Sequence, residues 1–180
     1  LKPYIDSGQI EIVADQWVPN WDTTEALKIM ENMLTATNNQ IDAVVASNDS
    51  TALGAIEALR AQGLAGKVPI SAQDATAAGC NAVAKGDLTV TVYKDIRLLV
   101  PLSIEIAVKL AKGEAVEGLQ DFSLAELTGD ANLKGSVPCR FLEVVGATKD
   151  NLYDVIVKSG YQSYDDVYKG VPEGDRPPKI

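Results

Sequence analysis

From Gln9 to Lys112 the chain alternates short β-rich apolar runs with longer stretches of helical periodicity. That alternation predicts an α/β fold, a parallel sheet flanked by helices. Gln9–Asp15 (QIEIVAD) reads as the first strand. Asp22 to Thr37 reads as the first helix, with Asp22 as N-cap and Glu25 as its capping-box partner. Ala26, Met30, Met33, Leu34 and Thr37 recur at helical spacing and predict one buried face. Asp42–Ser47 (DAVVAS) is nearly continuous in its apolar character, which predicts a strand covered on both faces. The second helix runs from about Ser50 to Gln62, with Leu53, Ile56 and Leu59 inward and Gly63 as its stop.

Val68–Ala72 is the third predicted strand, and Ala75–Lys85 a small-residue helix ended by Gly86. Leu88–Tyr93 (LTVTVY) alternates as a fourth strand. Asp95–Lys112 is a longer helix closed by Gly113, and Pro101 predicts a kink or a late start. Beyond it the periodicity weakens. Glu114–Ser136 reads as a loop, Val137–Val145 as a strand, and Thr148–Ser159 as a helix with Leu152, Val155 and Ile156 inward. Tyr161–Ile180, with three prolines and two glycines from Gly170 onward, reads as a polar tail, disordered or wrapped on a surface.

Composition narrows the function classes. The chain has 180 residues, 46% hydrophobic and 23% charged, which suits one globular domain with a core. No apolar run is long enough to span a bilayer. The formal net charge of −9 argues against nucleic acid or an anionic membrane as partner, since both need clustered Lys and Arg. With no histidine and two cysteines, Cys80 and Cys139, a zinc site is not expected. The cysteines could form one disulfide in an oxidising compartment or stay as buried thiols, and the sequence alone does not decide between them. Leu1-Lys2-Pro3-Tyr4-Ile5 is neither an initiator Met nor a signal peptide, so the chain reads as a processed, cleaved or truncated product.

In an open parallel α/β sheet, ligands bind outside the carboxyl ends of the strands. The predicted strands are followed by Gln16-Trp17-Val18-Pro19-Asn20-Trp21, Asn48-Asp49, Gln73-Asp74 and Lys94-Asp95. One edge would thus offer an indole, an amide, a carboxylate and an ammonium. This chemistry suits a sugar. Its C–H face stacks on an aromatic ring, and its vicinal hydroxyls pair with groups that donate and accept. Each residue also has a plainer role: Trp21 as core aromatic, Asn48, Asp49 and Asp74 as helix caps, and Lys94 as a solvated lysine. If one of Asn48 and Asp49 caps and the other binds, Asn48, nearer the strand end, is the expected ligand residue. Trp17 reads as a packing residue.

The runs LKPYIDSGQIEIVADQWVPNW, ALKIMENML, IDAVVASNDSTALGAIEALRAQGL, GKVPISAQDA and TVYKDI resemble the second half of the bacterial D-xylose-binding proteins. These belong to the ribose/xylose branch of the two-lobed binding proteins that serve ABC importers. The resemblance is clear from Leu1 to about Gly113 and fainter through VPCRFLEVVGATKDNLYDVIVKSGY. It implies sugar contacts at Trp21, Asn48, Asp74 and Lys94, hinge closure on the sugar, no cofactor, an extracytoplasmic location in the periplasm or lipid-anchored at the cell surface, and an ABC permease as partner.

The resemblance also implies a division into a sugar-binding lobe over 1–94, a crossover segment over 95–136, a returning strand and helix over 137–160, and a tail over 161–180. On that reading this chain lacks the N-terminal lobe of the two-lobed fold. The apolar face of Ile96, Leu99, Val100, Ile104, Ala107 and Val108 would then lack its partner. A separate N-terminal lobe chain is the preferred partner, and a second copy of this chain the alternative.

Competing functions are a sugar sensor in a signalling complex, a sugar-responsive repressor and an enzyme. A repressor needs a helix-turn-helix and basic surface, and neither is visible. G-x-G-x-x-G, P-loop and G-x-S-x-G motifs are absent, as is any histidine for base catalysis, so no enzyme is expected. The carboxylates Asp165-Asp166 read as a solvated face.

Overall fold

The computed structural model describes residues 1–179; Ile180, the last residue of the predicted tail, lies outside the described residues. The chain forms two compact units, Leu1–Tyr93 with Val145–Ile180, and Lys94–Val144.

The first unit is built on a four-stranded sheet of order β1-β2-β3-β6. Its strands are β1 (Val44–Val45), β2 (Ile70–Gln73), β3 (Val90–Tyr93) and β6 (Val145–Ala147). β1, β2 and β3 run parallel, and β6 is antiparallel to β3, so the sheet is mixed rather than wholly parallel. The helices α2 (Thr23–Ala36), α3 (Asp49–Ala61) and α4 (Ala77–Lys85) match the expected positions within a few residues. Asp22 caps α2 by accepting from the Thr24 and Glu25 amides, while the Glu25 side chain pairs with Lys28 instead of closing a capping box. Gly63 and Gly86 both follow helices at positive φ, 68° and 83°, the left-handed stop that glycine makes without strain.

Alternation in β2 and β3 divides the sheet faces. Ile70, Ala72, Thr91, Tyr93 and Ala147 are buried, with Ile56, Leu59, Val83, Leu152 and Ile156 in the same core. α2 packs closely on α3: a Cβ built on Gly54 would lie 2.3 Å from the Thr23 carbonyl oxygen. On the opposite face Val45 is 69% exposed. The expectation that Asp42–Ser47 is covered on both faces therefore fails at Val45.

Residues 9–15, predicted as the first strand, form no ladder and are exposed. The alternation is present, but a single extended segment has no neighbour to bond its backbone, and only pairing makes it a strand. The short helix α1 (Lys2–Asp6) precedes it. At the other end, Thr148–Ser159 folds as turns around a π-helical stretch, Tyr153–Val157, that still buries Leu152 and Ile156. The predicted polar tail is packed. α7 (Tyr164–Val167) lies on α4, Val167, Tyr168 and Val171 are buried, and the Asn81 amide donates to the carbonyls of Val167 and Lys169.

The second unit holds α5 (Ile96–Ala111), β4 (Gln120–Ser123), α6 (Leu124–Thr128) and β5 (Ser136–Cys139). α5 starts at the expected place and runs on past Pro101, so the late start is not realised. β4 and β5 pair antiparallel, supported by a T-shaped Phe122–Phe141 contact, in a stretch read largely as loop. α5 buries no residue, and Ile96, Leu99, Val100, Ile104, Ala107 and Val108 are all exposed. Cys80 and Cys139 are both free thiols. Among the described residues no helix is long and apolar enough to cross a membrane.

Candidate functional site

β1, β2 and β3 are adjacent and parallel, so their carboxyl ends share one edge of the sheet. Asn48 follows β1 by a short turn, and Asp74 directly follows β2. Lys94 directly follows β3 and is the first residue of the second unit.

Asn48 does cap α3. Its Oδ1 accepts from the Thr51 amide at 3.0 Å and from the Thr51 hydroxyl at 2.9 Å, and the Thr51 Oγ1 accepts from the Asn48 amide. Its Nδ2 makes no hydrogen bond among the described residues, so the half-buried side chain keeps a donor on the edge. Capping and ligand contact are therefore compatible in one residue.

Asp49 was the sequence alternative, and it turns the other way, into the interior, where it is 1% exposed. Its Oδ2 accepts from the Thr76 amide at 2.7 Å and the Thr76 hydroxyl at 2.9 Å. Its Oδ1 accepts from the Thr91 hydroxyl at 2.6 Å. Burial pushes its carboxyl above the usual carboxylate range, against the pull of these hydrogen bonds.

Asp74 has a plainer reading removed. The N-cap of α4 is Thr76, whose hydroxyl accepts from the Gly79 amide at 3.0 Å, so Asp74 does not cap that helix. Asp74 instead sits at φ 107° and Ala75 at φ 48°, two consecutive non-glycine residues in the left-handed half of the map. Such strain persists only where surroundings enforce it, and it concentrates at functional sites.

Trp21 closes a 3₁₀ turn, Pro19–Trp21, and is 63% exposed, with Asn20 and Trp21 both at φ 53°. It stands just before the Asp22 cap of α2. The close approach of Thr23 to Gly54 brings this turn beside the first turns of α3, the helix that Asn48 starts. A buried core role for Trp21 is excluded by its exposure. Trp17, expected to pack, is 94% exposed because the strand it was to terminate does not form.

Asn48 and Asp74 are thus neighbours through the Asp49–Thr76 bonds, and Trp21 lies at the adjoining helix start. Behind them, half-buried Thr76 carried no sequence signal, and buried Thr91 only the buried phase of an alternating strand. Among the described residues no group of His, Cys, Asp and Glu is placed to hold a metal ion.

A mixed α/β sheet with polar groups and a strained turn at the carboxyl ends of its parallel strands defines a class of ligand-binding lobe. The chain belongs to the periplasmic binding protein domain family, whose model matches residues 1–115. It is 53% identical over 161 residues to the D-xylose-binding periplasmic protein of Escherichia coli, covering 89% of this chain and 46% of the relative. The Haemophilus influenzae protein of the same name is 47% identical over 168 residues, 93% of this chain and 48% of its own. The chain spans about half the length of these relatives.

Among solved structures, an ABC transporter periplasmic solute binding protein from Actinobacillus succinogenes with bound D-allose is 29% identical with a TM-score of 0.64. That match covers 85% of this chain and 47% of the other. A Clostridium phytofermentans solute binding protein with bound β-D-glucose is 26% identical with a TM-score of 0.68, covering 92% and 52%. The fold is that of one lobe of a periplasmic binding protein.

Proposed function

We propose that this chain is a sugar-binding lobe of an extracytoplasmic solute-binding protein for ABC-type import, with D-xylose or a similar pentose as its ligand. The observation that carries the reading is the pairing of Asn48 with the strained Asp74 turn at adjacent carboxyl ends of parallel strands. The name shared by the two D-xylose-binding relatives supports the choice of sugar. Trp21 stacks on the C–H face of the sugar, and Asn48, Asp74 and Lys94 hydrogen-bond its hydroxyls. Asp74 contributes a charge-assisted acceptor for two neighbouring hydroxyls, which makes a sugar lacking one of them a poor ligand.

A second lobe closes over the sugar and covers the apolar face of α5. The relatives' extra length and the exposure of Ile96, Leu99, Val100, Ile104 and Val108 support that partner. Sugar delivery then goes to an ABC permease outside the cytoplasm.

Isothermal titration with D-xylose, L-arabinose, D-ribose and D-glucose tests the reading. The chain is titrated alone and after mixing with the N-terminal half of the Escherichia coli relative. Pentose binding in the mixture, abolished by Asp74→Ala with the fold intact, is expected. Tight binding by the chain alone would contradict the need for a second lobe, and no binding in either form would contradict the sugar reading.

A further inference from the structure

Behind the proposed sugar edge lies a relay of hydrogen bonds that the sugar itself does not touch. The Asp49 carboxylate accepts from two hydroxyls, Thr91 at 2.6 Å and Thr76 at 2.9 Å. Each hydroxyl has one proton, and a carboxylate can only accept, so both protons point at Asp49. The hydroxyl oxygens are then left with lone pairs facing the backbone. Thr91 Oγ1 accepts from the Ala75 amide at 3.0 Å, and Thr76 Oγ1 accepts from the Gly79 amide at 3.0 Å. Asp49 Oδ2 takes the Thr76 amide directly, at 2.7 Å. The amides of Ala75 and Thr76, which follow Asp74, are therefore both held through one buried carboxylate.

The same turn is gripped from its other side. The Asp74 amide donates to the Val92 carbonyl at 3.0 Å, and the Gln162 side chain donates to the Ala75 carbonyl at 2.9 Å. Fixed at its amides and its carbonyl, the peptide unit has little freedom to leave φ 107° and 48° for the relaxed region.

Resting on the sugar-site reading above, we propose that Asp49 is a positioning residue: acting through Thr91 and Thr76, it holds the Asp74–Ala75 turn in its left-handed form and so aims the Asp74 carboxylate at the ligand. Thr91 is its principal arm. A valine there keeps the shape and removes the acceptor from Ala75, whereas a serine keeps the acceptor.

The test is a double-mutant cycle on D-xylose affinity, using the chain paired with the N-terminal half of its Escherichia coli relative, with Ala75 amide exchange measured on the chain itself. Thr91→Val is expected to weaken binding about tenfold, the equivalent of one lost buried hydrogen bond. In an Asp74→Asn background the same change is expected to cost less than about twofold, because the group it aims is already altered. Thr91→Ser restores affinity, and Asp49→Asn weakens it as Thr91→Val does. Exchange of the Ala75 amide is expected to quicken more than about tenfold in Thr91→Val, with α3 amides unchanged. Equal losses in both backgrounds, or a silent Thr91→Val with unchanged Ala75 exchange, would overturn the positioning role alone. An Asp74→Asn protein that binds D-xylose normally would overturn the sugar site itself, and this role with it.

Discussion

The Asp49 carboxylate and the Thr91 hydroxyl meet at 2.6 Å across 42 positions of sequence, with both residues buried. The bond ties the start of α3 to the middle of β3, and Thr76 ties the same carboxylate to the start of α4. A buried carboxylate is costly unless its oxygens are satisfied, and here three donors from two elements satisfy them. The edge that carries Asn48 and Asp74 is built over this junction.

Asp49 makes the stability of the chain depend on pH in a defined direction. Burial raises its carboxyl above the ordinary value, and the nearby Asp74 adds to the effect, while the bonds from Thr91 and Thr76 oppose it. The folded state therefore holds this proton more tightly than the unfolded state. The stabilising contribution is present below the ordinary carboxylate value and is lost as pH rises through the raised folded one. Urea unfolding of wild type and Asp49→Asn from about pH 3 to about pH 7 should show wild type losing stability relative to the variant as pH rises. A relative gain would contradict the raised carboxyl.

Gly79 is required by the same carboxylate. A Cβ built there would lie 2.1 Å from Asp49 Oδ2, and the carboxylate is fixed by its donors. Gly79→Ala should destabilise by about 3 kcal/mol, despite alanine's better helix propensity. Gly174→Ala, with nothing within 4 Å of the new methyl group, is the control and should be near neutral in thermal unfolding.

The helices α2, α3 and α4 were legible because their caps and apolar spacing are local. The strand at residues 9–15 was not, since alternation reports the capacity to pair and says nothing of a neighbour. β4 was missed for the converse reason: Phe122 pairs with Val137 of β5, which lies within the predicted strand 137–145, across a long loop. The tail looked polar by composition, yet it is anchored by three apolar residues, Val167, Tyr168 and Val171. At the site, strand-end logic selected Asn48 and Asp74. It could not see that Asp49 turns inward, because the threonines that receive it lie 27 and 42 positions away.

Burial pushes the Cys80 thiol up to about 12. The reactive thiolate is then a negligible fraction at neutral pH. Iodoacetamide at about pH 8 should leave Cys80 unlabelled in the folded chain and label it on unfolding in urea, as read by mass spectrometry. Rapid native labelling of Cys80 would contradict its burial.

The apolar residues along α5 are exposed, so they contribute little to the stability of the chain itself. Val100→Ser with Ile104→Ser should change unfolding free energy by no more than about 0.5 kcal/mol per site. The same pair should weaken association with the N-terminal half of the Escherichia coli relative, measured by analytical ultracentrifugation. A large stability loss, or unchanged association, would show that this face is not the docking surface.

A crystal structure of the paired lobes with D-xylose tests the central claim most directly. The account predicts the pentose beside the carboxyl ends of β1, β2 and β3, with the Trp21 indole against its C–H face and Asn48, Asp74 and Lys94 within hydrogen-bond distance of its hydroxyls. A sugar bound elsewhere, or one that leaves Asp74 untouched, would contradict it.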